Sequence, residues 1–288
     1  MSDNDVRSAD PLLGAPSPRR SVRLKAGELL ALVFVGLLLL ASVTPAILAP
    51  LDPTAVSPLD AFQPPSPGHP FGTDESGRDV YTRVVHGTGS SLLIGLAATA
   101  IGLGTAVVLA VLAVAGGRVA DALVGRTIEV LFAFPALLSA LLVILVMGPG
   151  PVAATVAVGL STAPGYARII RTSLLSVRAS GFVEAARLLG HPPARVFTAT
   201  ILPNALAPLL ALATLGIGQA VVWASSLSFL GLGAQPPAPE WGAMLASARV
   251  YLTSAWWLTA FPGLVIVATT LAATVLGRSL DARTRGAS

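Results

Sequence analysis

Ser91-Leu-Leu-Ile-Gly-Leu-Ala-Ala-Thr-Ala-Ile-Gly-Leu-Gly-Thr-Ala-Val-Val-Leu-Ala-Val-Leu-Ala-Val-Ala115 contains no charged side chain. A helix of about 20 apolar residues crosses the ~30 Å hydrocarbon layer of a bilayer, and this run is longer than that. It lacks the apolar–polar alternation of a membrane barrel strand. A helix also satisfies its own backbone, which a segment in lipid must do. Similar runs lie at roughly 28–50, 128–147, 150–167, 204–232 and 255–277. The reading is an all-α membrane protein with six transmembrane helices.

The composition agrees. The 288 residues are 54% hydrophobic and 11% charged, with a mean hydropathy of +0.78. A soluble domain carries about 25% charged residues. The chain has no cysteine, which excludes a disulfide framework, thiolate metal sites and cysteine nucleophiles. Residues 1–26 are polar, with Pro11, Pro16 and Pro18, and read as a disordered basic cytoplasmic tail. Residues 27–50 form the first transmembrane helix. Their apolar stretch exceeds the ~7–15 residues of a signal-peptide core, so they are expected to be retained. Residues 51–90 hold a run of prolines from Pro53 to Pro70, which removes helix hydrogen bonds and predicts an irregular extracytoplasmic loop. Residues 91–277 form the membrane core, with a long inner loop at 168–203, and 278–288 form a second cytoplasmic terminus.

The cations test this topology. Arg7, Arg19, Arg20, Arg23 and Lys25 lie in the tail. Arg118 and Arg126 lie in a short loop, and Arg168, Arg171, Arg178, Arg187 and Arg195 in or beside the long one. Arg278, Arg283 and Arg285 close the chain. Of the 18 cations, only Arg78, Arg83 and Arg249 fall on the other side. This asymmetry predicts that both termini are cytoplasmic. It accounts for the pI near 10.3 without a nucleic-acid partner.

No charged residue falls near the middle of a predicted span; Glu129, one turn inside the third helix, comes nearest. Ion-coupled carriers place acids, bases or broken helices at midplane, so the energy source is expected elsewhere. Ala98, Gly102, Gly104, Gly216 and Gly218 suit close helix contact. Pro135 should kink the third helix.

The long inner loop reads Gly181-Phe-Val-Glu-Ala-Ala-Arg-Leu-Leu-Gly190-His-Pro-Pro-Ala-Arg-Val-Phe-Thr-Ala-Thr-Ile-Leu-Pro203-Asn. Residues 182–189 favour helix, and Ala185 and Ala186 are small enough for a partner surface to approach. Gly190, Pro192 and Pro193 end that helix and turn the chain. A second helix can start at Pro193, and Pro203 is expected to open the fifth span. The result is a helix–turn–helix across the inner face.

Glu184-Ala185-Ala186, then Gly190, then Leu202-Pro203 resembles the EAA loop of bacterial ABC importer permeases. Where that family often has Ile two residues before the Leu, this chain has Thr200, with Ile201 adjacent. Two outer segments resemble the dipeptide and oligopeptide branch. One is Gly72-Thr73-Asp74-Glu-Ser-Gly77-Arg78-Asp79. There Gly72 and Gly77 permit tight turns, and Ser76 with Asp79 fits a helix cap. An interfacial amphipathic helix is expected to follow through Tyr81, Val84 and Val85. Asp74, Arg78 and Asp79 are read as pairing with one another to shape the loop, in preference to contacting a ligand. The other segment is Leu227-Ser-Phe-Leu-Gly231-Leu-Gly233, followed by Pro239-Glu-Trp241-Gly-Ala-Met-Leu. Gly231 and Gly233 are expected to end the fifth helix. Trp241, Trp256 and Trp257 fit an aromatic belt at the outer interface. Family members often carry an acid where this chain has Ala224.

The resemblance implies a type I ABC importer transmembrane domain, the second of two permeases. It implies a second permease as partner, two ATP-binding subunits that hold ATP and Mg, an extracytoplasmic binding protein and a peptide substrate. Nickel, glutathione or another small solute is the alternative in the same architecture. His69, His86 and His191 are isolated, which gives no soft-metal cluster. A stand-alone carrier or channel would need a polar midplane path. A membrane enzyme would need a motif that is absent: there is no zinc-protease motif, nucleophile elbow or phosphate loop.

Overall fold

The computed structural model describes residues 25–206 and 209–286. The expectation for the tail falls outside these. Nine principal helices account for most of the described chain: α1 (Ala26–Val43), α2 (Val80–Ala115), α3 (Gly117–Ala133), α4 (Ala136–Met147), α5 (Pro151–Arg178), α6 (Gly181–Leu188), α7 (Leu209–Phe229), α8 (Trp241–Ala248) and α9 (Trp257–Gly286). Among the described residues there is one isolated bridge, Thr73 to Asp79, and no named strand.

Four helices are long and apolar enough to cross a bilayer: α1, α2, α7 and α9. The third apolar run does not form one kinked helix. It is split into α3 and α4, bent by 97° at a short break. Phe134 and Pro135 are both extended there. A proline disfavours the helical region for the residue before it, so the chain leaves the helix at Phe134. Taken as one span, the bent pair makes a fifth. Glu129 therefore lies on the α3 side of the break, exposed and 3.4 Å from Arg126. The fourth run extends well past residue 167, since α5 continues to Arg178. At 1.5 Å per residue it is about 42 Å long. Ser161, Thr162, Pro164, Arg168 and Arg171 interrupt its apolarity.

The most extensive pairing is α2 with α5, and it is built on small residues. Ala98 packs with Ala154, Ala157 and Val158. A Cβ on Gly102 would press on Thr162 and the Gly159 carbonyl. Further along, Ala106 and Ala110 meet Ala167, Ile170 and Leu174. α7 lies against α9, where the Thr270 hydroxyl donates to the Gly218 carbonyl at 3.2 Å. Gly216 approaches Tyr166 closely, whereas Gly104 faces open space. α1 is peripheral, with only Ala31, Leu38 and Ala41 buried.

The bundle has two unlike ends. At the first, residues 44–79, the start of α2, the 230–256 segment with α8, and the start of α9 form a compact cap. At the other, the ends of α2 and α5 meet α6 and the helical segment that follows it.

Candidate functional site

At the loop end, Val183 on α6 is fully buried against Ile170, Leu174, Val196 and Ile201. That single anchor turns the rest of the helix outward. Glu184 and Ala185 are exposed and Ala186 is half-buried. Among the described residues Glu184 has no ion-pair partner. Leu188 and Leu189 are 84% and 77% exposed, and Phe182 is exposed beside them. Gly190 has φ +80°, a conformation glycine adopts at no steric cost, and its N–H donates to the Arg187 carbonyl at 3.0 Å. The chain then re-enters a helix at Pro193, as its prolines predict.

That second helix contains a π turn over Val196–Ile201 before Leu202–Ala205. Pro203 has no N–H to give Ala199, four residues back, which loosens the ladder at this point. The Asn204 amide bonds the Thr200 carbonyl at 2.7 Å, and Ser173 of α5 bonds the Ala205 carbonyl at 3.0 Å. Pro203 thus sits inside the inner helical segment, and the fifth apolar helix begins later, at Leu209. Ile201 is buried while Thr200 is half-exposed, so the isoleucine fills the apolar place from the adjacent position.

At the cap, Gly72 and Gly77 both have positive φ, +74° and +75°. A Cβ on Gly77 would overlap the Ser57 carbonyl. The Thr73 carbonyl accepts the Trp257 indole N–H at 3.1 Å. Asp74 accepts from the Ser76 and Arg78 backbone N–H groups, each at 2.9 Å, and from Arg78 Nε at 2.8 Å. Asp79 does not pair with Arg78. One of its oxygens caps α2, accepting the Thr82 N–H at 2.6 Å, and the other meets His69 Nδ1 at 2.9 Å. Ser76 takes no part in that cap; it belongs to the Asp74 turn. Nor does an interfacial helix follow. Tyr81, Val84 and Val85 lie on the first turns of α2 itself, and the two valines are buried.

The tryptophans divide. Trp256 is 57% exposed, but Trp241 is 0% exposed, and Trp257 is buried as well. Trp241 donates its indole N–H to the Val84 carbonyl at 2.9 Å. Trp241 and Trp257 are therefore internal pins of the cap and not parts of a lipid-facing belt. Gly231, at φ +81°, closes α7 as expected: its N–H bonds Ser228 and the Leu232 N–H bonds Leu227. Gly233 leaves no room for a Cβ beside Ser228. Ala224 packs in the apolar cluster with Ala154 and Ala157.

Two cap residues escaped the sequence reading. Glu240 is 2% exposed; its carboxylate accepts the Gly242 and Ala243 N–H groups at 2.8 Å each and caps α8. An acid directly before a short helical run was the available signal. Arg83 is buried, 3.5 Å from Asp74, and donates to the Pro53 carbonyl at 3.3 Å. Nothing in its spacing marked it. No group of acids and histidines that could hold a metal occurs among the described residues.

The chain resembles known proteins along most of its length. Residues 95–286 match the family described as binding-protein-dependent transport system inner membrane component. The di/tripeptide transport system permease protein DppC of Pseudomonas aeruginosa is 41% identical over 209 residues, 73% of this chain and 69% of that protein. The dipeptide transport system permease protein DppC of Alkalihalophilus pseudofirmus is 39% identical over 218 residues, 76% of this chain and 72% of that one. The glutathione transport system permease protein GsiD of Pectobacterium atrosepticum is 38% identical, covering 75% and 72%. Among solved structures, an amino acid ABC transporter crystallised with histidines aligns with TM-score 0.54 at 21% identity, covering 71% of this chain and 94% of that one. An inward-facing MetNI methionine ABC transporter gives TM-score 0.52 at 21% identity, covering 73% and 94%. At that identity the structures speak for the fold alone.

Proposed function

Because the chain belongs to the binding-protein-dependent transport system inner membrane component family, and so is a multi-pass protein of the bacterial inner membrane, we propose that it is the permease subunit of an ATP-driven importer of di- and oligopeptides. In this reading it forms half of the translocation path with a second, similar permease. Two separate subunits bind ATP with Mg and hydrolyse it. An extracytoplasmic binding protein delivers the peptide to the cap end. Residues 91–277 are the translocating core, and 168–203 are the segment that receives force from the ATPase.

The observation that carries the reading is the helix α6. One buried valine fixes it to the bundle, while Glu184, Ala185, Leu188 and Leu189 stand in solvent. Exposed leucines on a short, firmly seated helix favour a protein partner. The relatives named for dipeptide transport support the substrate class.

The topology has six spans. α5 counts as one on its length, with its polar residues turned to neighbouring helices and to the path, and α3 with α4 counts as one bent span. Both termini and the loop end are cytoplasmic, in line with the distribution of arginines.

Glu184→Arg is expected to leave membrane insertion unchanged and to abolish ATP-dependent uptake of labelled dipeptide. Uptake at the wild-type rate would sink the assignment of α6. Affinity purification of the tagged chain is expected to recover a second permease and nucleotide-binding subunits. Recovery of the chain alone would favour a stand-alone carrier.

A further inference from the structure

A cavity of about 450 Å³ opens at the loop end, bounded by the last turn of α2, the end of α5 and the chain from Arg187 to Ile201. Three basic side chains from separate elements line it: Arg178, Arg187 and His191. No acidic residue lines it, and none of the three has an ion-pair partner among the described residues. Its walls are otherwise largely apolar, with Val114, Phe197 and Ile201 among them. Arg178 spends one N–H on the Val114 carbonyl at 3.2 Å. A guanidinium has five N–H donors, so most of its donors remain available.

A cation at the end of a helix is ordinarily placed there by the helix dipole. That accounts for Arg178 at the end of α5 and Arg187 at the end of α6. It does not account for their turning into one cavity together with His191. We propose that this cavity holds the phosphate headgroup of an anionic phospholipid. The arginines would pair with the phosphate oxygens, and an acyl chain would lie against the apolar wall. Arginine suits that role because its fork matches phosphate geometry. Basic pockets at the cytoplasmic ends of membrane helices are a recurrent form of lipid recognition. The competing occupant is a protein partner, and the test separates the two. The site rests on the proposed orientation, in which the loop end is cytoplasmic. Because α6 leads directly into it, an occupied cavity would brace the helix that meets the ATPase.

The test is thermal unfolding of the detergent-purified transporter, with whatever subunits accompany it, after addition of phosphatidylglycerol, phosphatidylcholine of the same chains, or inorganic phosphate. Phosphatidylglycerol is expected to raise the melting temperature in a saturable way, and the other two to leave it unchanged. Arg178→Gln with Arg187→Gln should remove the rise. Arg187→Gln alone, at a side chain that makes no hydrogen bond among the described residues, should remove most of it. Arg126→Gln, on an exposed face of α3, should keep it. An equal rise with phosphatidylcholine, a rise with phosphate alone, or a full rise in Arg187→Gln would overturn the proposal. So would a rise that occurs for the isolated permease and vanishes when the ATPase is bound, because a protein partner would then fill the cavity. The orientation fails separately. The chain has no cysteine of its own, so His191→Cys should resist an impermeant thiol reagent added outside intact cells. Labelling from outside would refute the topology whatever the lipid result.

Discussion

The cap and the loop end use the same kinds of residue in opposite ways. In the cap, the buried charged groups find their partners inside the chain: Asp74 with Arg78 and Arg83, Asp79 with His69 and the start of α2, Glu240 with the start of α8. Aromatic rings lock it further, with Phe71 and Phe261 stacked at 4.0 Å between centroids. At the loop end, Glu184 and Arg187 lie exposed and unpaired among exposed leucines. A surface that satisfies itself is finished on folding. One that leaves apolar and charged side chains in solvent gains from association. The difference teaches which end of the bundle keeps buried charge paired within the chain and which leaves charge unpaired in solvent.

Substitutions can break that contrast. The largest effect is expected at Asp74→Ala, which leaves buried Arg78 with only Glu75 and buried Arg83 with only the Pro53 carbonyl, and strips the acceptor from two backbone donors. The loss should be about 3–5 kcal/mol, read as a fall in melting temperature in detergent with the loop end intact to proteolysis. Glu240→Ala should cost about 2 kcal/mol, since it removes a buried cap. Hydrogen exchange should then speed up over Trp241–Ala248 before anywhere else. Trp241→Phe keeps a ring in place but leaves the Val84 carbonyl without its indole donor, at about 1 kcal/mol. The smallest effect on stability belongs to the loop end. Leu188→Ser with Leu189→Ser should stay within about 0.5 kcal/mol, yet lower dipeptide uptake and the recovery of ATPase subunits. A large loss of stability from that pair would mean that α6 is packed within the chain, and the contrast between the ends would fail.

Hydropathy made the helices legible, because a run that must satisfy its backbone in lipid has few other forms. It marked poorly where a helix stops. α2 begins at Val80, well ahead of its apolar run, because a helix does not end where the bilayer does. The same limit hid the cap. An indole near a predicted interface reads alike whether its ring meets lipid or is buried with its N–H on a carbonyl, as in Trp241 and Trp257. Pro135 was legible as a disturbance, but its size was not, since 97° depends on Phe134 leaving the helix as well. The turn at Gly190 and the restart at Pro193 were legible because both residues act locally. Arg83 and the cavity around Arg178 were not, because their neighbours come from distant parts of the chain.

The length of α2 has a mechanical consequence. Its first turn is held to α8 through Val84 and Trp241, and its last turn receives Arg178 from α5. Between them runs an unbroken rod of 36 residues, about 54 Å long at 1.5 Å per residue, so that a tilt of only about 5° about one end swings the other through about 5 Å. Under the proposed function, a push delivered to the loop end would reach the cap as a lever stroke of this rod.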